Sequence, residues 1–226
     1  RRFVETIFKK NLKLVPLRIL DVGCGSGSML GFLNRYSPNV VGADDSEYAL
    51  SLCKTSNGGI LVMAKAQQLP FSDAFFDLIT CFEVLSHQRV EDDMAVLREL
   101  YRVCKKGGSI IVNDSAFKFL KGQHDLAAHV VRRYTLKELY GKVEKSGFKV
   151  NRATYLYMCL LPAITIIRCF KGLFFNSAKP VAELKSSGSF IDGFVNFILS
   201  MEALLLEKFN LPFGISSATF VKSRSF

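Results

Sequence analysis

Residues 19–28 read ILDVGCGSGS: an apolar run broken by Asp21 leads straight into three alternate glycines, Gly23, Gly25 and Gly27. A strand that ends this way and is followed by helical sequence brings backbone N–H groups close to a ligand, because glycine permits both the turn and the close approach. In an open parallel sheet that position, beyond the carboxyl end of the first strand, is the usual ligand crevice. A dinucleotide fingerprint of the form G-x-G-x-x-G would need a third glycine where Ser28 stands, which weakens a nicotinamide reading.

Outward from this stretch, short apolar segments alternate with helical ones. LRILDV (17–22), NVVGA (39–43), GILVMA (59–64), FFDLITC (75–81) and GSIIVN (108–113) are β-branched and bounded by Gly, Pro, Asp or Asn, as strands are. Between them the pattern predicts helices near 26–36, 46–54, 90–104 and 135–146. Such alternation argues for a doubly wound α/β fold, a mostly parallel sheet covered on both faces by right-handed crossovers. Ser46 with Glu47 reads as a helix start and Thr135 with Glu138 as a capping box, while Lys105-Lys106-Gly107-Gly108 is expected to close the 90–104 helix.

After the strand-like KVNRATYLYM (149–158) the rhythm breaks, and about fifty mostly apolar residues precede a final strand candidate, SATFVK (217–222). Half of the 20 Phe residues lie at or beyond Phe170. Residues 190–209 predict a helix that is apolar over most of its circumference, with Asp192, Asn196, Ser200 and Glu207 as a narrow polar stripe. Such a helix needs cover from the core, a partner, a lipophilic substrate or a membrane surface. The expected organisation is a single domain over 1–226: a core at 14–157, a helical insertion or lid at 158–214, with KSSGS (185–189) as a loop inside it, and a last strand at 215–223.

The net charge of +10 is carried by scattered pairs such as Lys9-Lys10 and Arg132-Arg133, the pattern of a solvated surface rather than of a nucleic-acid stripe. The six cysteines lack C-x-x-C spacing and read as reduced core residues of a cytosolic protein, with no metal site. RRFVETIFKK at the start lacks the features of a signal peptide, and no window offers about 20 uncharged apolar residues to cross a bilayer.

Four ordered blocks, DVGCGSG (21–27), VGADDSEYAL (41–50), AQQLPFSDAFFDLITCFEVLSH (66–87) and LRELYRVCKKGGSIIV (97–112), resemble the class I S-adenosylmethionine-dependent methyltransferases, specifically their type-11 group. The resemblance covers roughly 16–150 and implies a Rossmann-like methyltransferase fold with a seven-stranded sheet and S-adenosyl-L-methionine as cofactor, leaving as S-adenosyl-L-homocysteine. It implies that Asp21, Gly23, Cys24, Gly25 and Gly27 hold the methionine part and that Asp44, or Asp45 if the strand ends one residue later, holds the ribose. Ala66 and Gln67 match the adenine contacts, and Phe82 and Glu83 the positions beside the sulfonium. Lys65 stands where many relatives have an Asp that accepts from the adenine amine, which an ammonium cannot do; its other reading is a surface lysine.

Methyl transfer needs in-line positioning in a dry site, and a base only when the acceptor is protonated. His87, after the fourth strand, and His124 and His129, in KGQHDLAAHVVRRYT (121–135), are therefore candidate proton acceptors, with Tyr134 as a candidate hydrogen-bond partner. Asp125 and Arg133 in the same block are equally readable as a structural ion pair. The leading expectation is a small-molecule methyltransferase acting, most readily on oxygen, on an apolar, lipid-linked or glycan-linked acceptor, cytoplasmic or peripheral at an anionic membrane face. Two alternatives stand beside it: a carbon methyltransferase of a quinone-type or prenylated ring, and a cofactor- or partner-binding module without catalysis. A nucleic-acid substrate is not expected, because the chain has no N/D-P-P-[YF] motif. Neither the acceptor nor the oligomeric state follows from these residues.

Overall fold

The computed structural model describes residues 4, 5, 7, 17–54, 59–162, 164–165 and 189–223. Its first strand, β1 (Ile19–Val22), is buried at every position, as a strand covered on both faces must be. Side chains of β1 alternate between two cores: Leu20 and Val22 enter one, Ile19 the other. Parallel partners flank it, β2 (Val40–Asp44) and then β3 (Ile60–Met63) on one side, β4 (Phe76–Phe82) and then β5 (Cys104–Ser115) on the other. β6 (Phe148–Leu156) forms an edge, and β7 (Ser216–Ser223) inserts antiparallel between β5 and β6, giving the seven-stranded order β3-β2-β1-β4-β5-β7-β6. The doubly wound, mostly parallel sheet with a helical insertion before the last strand is thus present, each strand within a few residues of its expected range.

Helices cover both faces. α1 (Leu30–Leu33) and α2 (Glu47–Lys54) contribute Leu30, Leu33, Leu50 and Cys53 to one core. On the opposite face α3 (Asp93–Val103) contributes Leu97 and Leu100, and α5 (Leu136–Lys145) contributes Leu139 and Val143. A short helix, α4 (Gln123–Ala127), lies between β5 and α5. The capping box is formed: Thr135 Oγ1 accepts from the Glu138 N–H at 3.2 Å, and the Glu138 carboxylate accepts from the Thr135 N–H at 2.7 Å. The expected helix stop at 105–108 is corrected. α3 ends at Val103, and Cys104 is already extended and pairs with Phe76, so both lysines open β5 and Gly107, at φ 75°, turns the chain within it.

The long helix of the insertion is α6 (Ser189–Lys208), while residues 163 and 166–188, which include Cys169 and most of the predicted 185–189 loop, lie outside the described residues, as does the expected start of the core at 14–16. Glu202 sits in the middle of this helix and is buried. Its carboxylate accepts from the backbone N–H of Tyr157 at 2.6 Å and of Cys159 at 3.0 Å, just past β6. Arg152 on β6 donates to Asn210 Oδ1 and to the carbonyls of Leu206 and Phe209, closing the helix's carboxyl end. Two charged side chains, each satisfied by otherwise orphaned backbone groups, therefore clamp an apolar helix onto the sheet. Among the described residues no helix is long and apolar enough to cross a membrane.

Candidate functional site

Two cavities open at the carboxyl ends of β1 and β4. The larger, about 560 Å³, is lined by Asp21, Gly23 and Cys24 from the first turn, by Glu83 and Asn113, and by Asn196, Glu202 and Leu206 of α6. The smaller, about 360 Å³, is lined by Asp44, Asp45, Ala66, Gln67, His87 and His129. The two share Gly23, Phe82 and Glu83. Anything that fills both must pass over those three residues.

The first turn is built for close approach. Gly23 has φ 70°, and a Cβ there would stand 2.3 Å from Val84 Cγ2. Gly25, at φ 53°, has open space where a Cβ would go, so the cradle is free on its ligand side. Asp44 ties the turn to β2, Oδ2 accepting from the Gly25 N–H at 2.8 Å and Oδ1 from the Ser46 N–H at 2.9 Å. Each oxygen keeps a lone pair for a further donor. Asp45 is instead engaged by the Arg89 guanidinium at 2.7 Å. Asp21 is buried beneath the glycines, accepts from Thr80 Oγ1 at 2.6 Å, and has its carboxyl pushed up to about 7, mainly by burial. Burial also drives the Cys24 thiol up, to about 12, so it stays a neutral wall of the larger cavity.

Glu83 stands at the junction with φ 57°, a conformation a side-chain-bearing residue adopts only under constraint. The constraint is a hydrogen bond from its N–H to the Asn113 carbonyl at 2.8 Å. Its carboxylate accepts from Ser115 Oγ at 2.7 Å, with Asn113 Nδ2 at 3.5 Å. Beneath it, Asp114 accepts from the N–H groups of Leu85 and Ser86 and is pushed well above the carboxylate range by burial first and by Glu83 second. Asn113 Oδ1, buried and lining the larger cavity, accepts no hydrogen bond from the described residues. The described lining of that cavity contains no basic side chain.

The candidate bases from the sequence fall elsewhere. His87 and His129 line the smaller cavity, their rings 5.8 Å apart. His87 Nδ1 accepts from the Arg89 N–H at 3.2 Å, and burial followed by Arg89 and His129 lowers its pKa, which makes it a poorer base. His124 lies in α4, with its side chain outside the described set. Tyr134 is buried at 4% exposure, and its hydroxyl donates to Asp93 Oδ2 at 2.8 Å, with the Leu85 carbonyl at 3.0 Å, away from both cavities. Tyr134→Phe is therefore expected to cost about 1 kcal/mol of stability in thermal unfolding, with turnover changed less than about threefold. Asp125 and Arg133 form a buried ion pair at 2.5 Å, the structural reading of that block. Lys65 is exposed and lines neither cavity. Asn113, Tyr157 and Glu202 were not singled out from sequence, although Glu202, a carboxylate off the polar stripe of the apolar 190–209 pattern, was a visible signal.

Comparison with known proteins points to a family and a fold. A family model described as a methyltransferase domain matches residues 20–112. The demethylmenaquinone methyltransferase of Thermotoga maritima is 32% identical over 115 residues, covering 50% of this chain and 48% of that protein. The chain spans about half the length of the curated relatives it matches. Among solved structures, a putative methyltransferase from Bacillus halodurans aligns with a TM-score of 0.62 at 18% identity, covering 99% of each chain. Phosphoethanolamine N-methyltransferase 2 of Haemonchus contortus, in complex with S-adenosyl-L-methionine, aligns with a TM-score of 0.64 at 14% identity over 99% of this chain and 52% of that one. At such identities the likeness is one of fold.

Proposed function

We propose that this chain, which belongs through residues 20–112 to the class I S-adenosylmethionine-dependent methyltransferases, moves a methyl group to a largely apolar small molecule through a hydroxyl or amine. The open cradle at Gly25 and the spare lone pairs of Asp44 fit the cofactor. Bound there, S-adenosyl-L-methionine supplies an electrophilic methyl group. Asp44 would accept from the ribose hydroxyls, Ala66 and Gln67 would border the adenine, and Asp21, Gly23, Cys24, Gly25 and Gly27 would hold the methionine part. Phe82 would wall the junction, and Asp45, held by Arg89, would serve as a rim.

The observation that carries the acceptor reading is the Glu83 carboxylate, held by Ser115 Oγ at the junction of the two cavities. A carboxylate there calls for a donor, an O–H or N–H, and the lack of a described cation in the larger cavity disfavours a carboxylate or phosphate at that point. As the O–H or N–H bond of the acceptor gives way to a bond to carbon, its proton passes to a Glu83 carboxylate oxygen. Leu156, Leu199, Ala203 and Leu206 would enclose the apolar body and exclude water. The exposed apolar residues of α6, including Phe197, Met201 and Leu204, favour work at a membrane face and a lipid-linked acceptor.

The test is incubation with methyl-labelled cofactor and a lysate fractionated into lipid, glycan and nucleic-acid pools, with label expected on an oxygen or nitrogen of a lipid-fraction molecule. Label on a ring carbon would replace this reading with the quinone-type alternative, and tight cofactor binding without transfer to any pool would replace it with a non-catalytic module.

Asp21 supplies a pH prediction. Its folded pKa, about 7, lies above the unfolded value, so its protonated form stabilises the fold fully below about pH 4 and that contribution is lost as pH rises through about 7. Asp21 would hold the cofactor's ammonium, a contact that would favour its ionised form. Binding of S-adenosylhomocysteine near pH 7 is therefore expected to release protons, read as a dependence of calorimetric heat on buffer ionisation enthalpy; equal heats in phosphate and Tris buffers would refute the contact.

A further inference from the structure

A third cavity, of about 590 Å³, lies outside the site just described and is lined by Lys118, Lys121, Arg132, Arg133 and Lys142. The acids in its lining are Asp93 and Glu138. Asp93 pairs with Lys142 at 2.9 Å, and Arg133 is matched by Asp125 beneath it. Glu138 is committed to the capping box of α5, and its carboxyl is held low by the Thr135 hydrogen bonds first and, more weakly, by the charges of Lys118 and Lys142. Lys118, Lys121 and Arg132 make no ion pair with any described residue.

Arg132 is the informative member. Its guanidinium donates to three backbone carbonyls, Val90 at 2.5 Å, Glu91 at 2.9 Å and Leu85 at 3.5 Å. These contacts hold the planar group in place without neutralising it, so a cation is positioned before any ligand arrives. Lys118 and Lys121 bracket a single 3-10 turn, Lys118–Leu120, that presents two flexible ammonium groups to the same cavity. A fixed planar guanidinium with two mobile point charges suits a tetrahedral, multiply charged oxyanion better than a monovalent carboxylate. We infer that this cavity binds a phosphate or diphosphate group.

The site backs onto the cofactor cavity. The bridge between His87 and Val130 separates them, with His87 and His129 facing the smaller cavity and Val130 facing this one. Phe119, exposed at 69% between the two lysines, and the exposed Val131 at the cavity wall add apolar surface beside the charge. That juxtaposition fits a phosphate carried on a lipid as well as a soluble phosphate ester, and the test separates the two.

Calorimetric titration with inorganic pyrophosphate at low ionic strength is expected to show binding that Lys118→Glu/Lys121→Glu weakens by about tenfold or more. Lys149→Glu/Lys222→Glu, which makes the same charge change at exposed positions of β6 and β7, is expected to leave it within about twofold. Arg132 is left intact because it tethers the 85–91 loop, and retained S-adenosylhomocysteine binding in both variants reports an intact fold. Cosedimentation with phosphatidylglycerol vesicles, competed by pyrophosphate and lost in the first variant alone, identifies a lipid source; pyrophosphate binding without vesicle binding identifies a soluble ester. The proposal is overturned if wild-type protein does not bind pyrophosphate, if both variants lose binding equally, or if an RNA oligonucleotide binds at these lysines and pyrophosphate fails to displace it.

Discussion

Glu83→Gln lowers kcat by about 10²–10⁴-fold if Glu83 takes the acceptor's proton, because that is the usual contribution of a positioned general base. The substitution keeps the side chain's shape and its partner Ser115 Oγ, so S-adenosylhomocysteine affinity is expected to change by less than about threefold. It also removes the charge that helps to hold Asp114 up, so the Asp114 pKa moves down, though burial, the larger cause, remains. The measurement is kcat and KM against pH for both proteins, set beside calorimetric cofactor binding. Loss of the acidic limb together with the fall in kcat is the signature of a lost base. Turnover within threefold of wild type would remove Glu83 from the chemistry, and a comparable fall in His87→Ala alone would move the proton to the smaller cavity.

Asp44→Ala is expected to weaken S-adenosylhomocysteine binding by two to three orders of magnitude. A carboxylate that accepts from both ribose hydroxyls contributes about 1.5–3 kcal/mol per charge-assisted hydrogen bond. The same oxygens also hold the N–H groups of Gly25 and Ser46, so the variant loosens the cradle as well as removing a contact. Asp45→Ala breaks only the half-exposed pair with Arg89 and should cost no more than about 1 kcal/mol. Calorimetry on both variants decides between the neighbours. If the Asp45 variant shows the larger loss, the ribose contact belongs to that residue.

These two positions differ in how readable they were. Asp44 belongs to a local pattern, an acid at the end of the second strand about twenty residues after a glycine turn, and residue order along the chain is enough to find it. Glu83 was legible as a neighbour of the cofactor and not as a candidate base, because the reading proposed for it rests on its setting against Asn113 and Ser115, about thirty residues away on the adjacent strand. His87 drew attention by its place after the fourth strand as well as by its chemistry, and His129 by the polar block it belongs to.

The insertion makes the same point. Its 190–209 pattern announced a helix needing cover, and α6 spans Ser189–Lys208. Nothing local announced that Glu202 would turn inward to accept from the Tyr157 and Cys159 N–H groups, or that Arg152 would close the helix end. Both contacts join segments more than forty residues apart.

By itself the sequence determined what repeats at short range: strand and helix alternation, the glycine turn, the capping box at Thr135, and the acids at the strand ends. Hydrophobic periodicity and backbone stereochemistry act over a few residues, so those features are written locally. The tertiary structure alone decided that two cavities meet at Glu83, that His87 and His129 border the smaller one, and that a cluster of cations lies behind them. Those facts depend on which distant segments the packed sheet brings together, and burial then sets the charge state of groups such as Asp21 and Asp114 in a way no stretch of ten residues encodes.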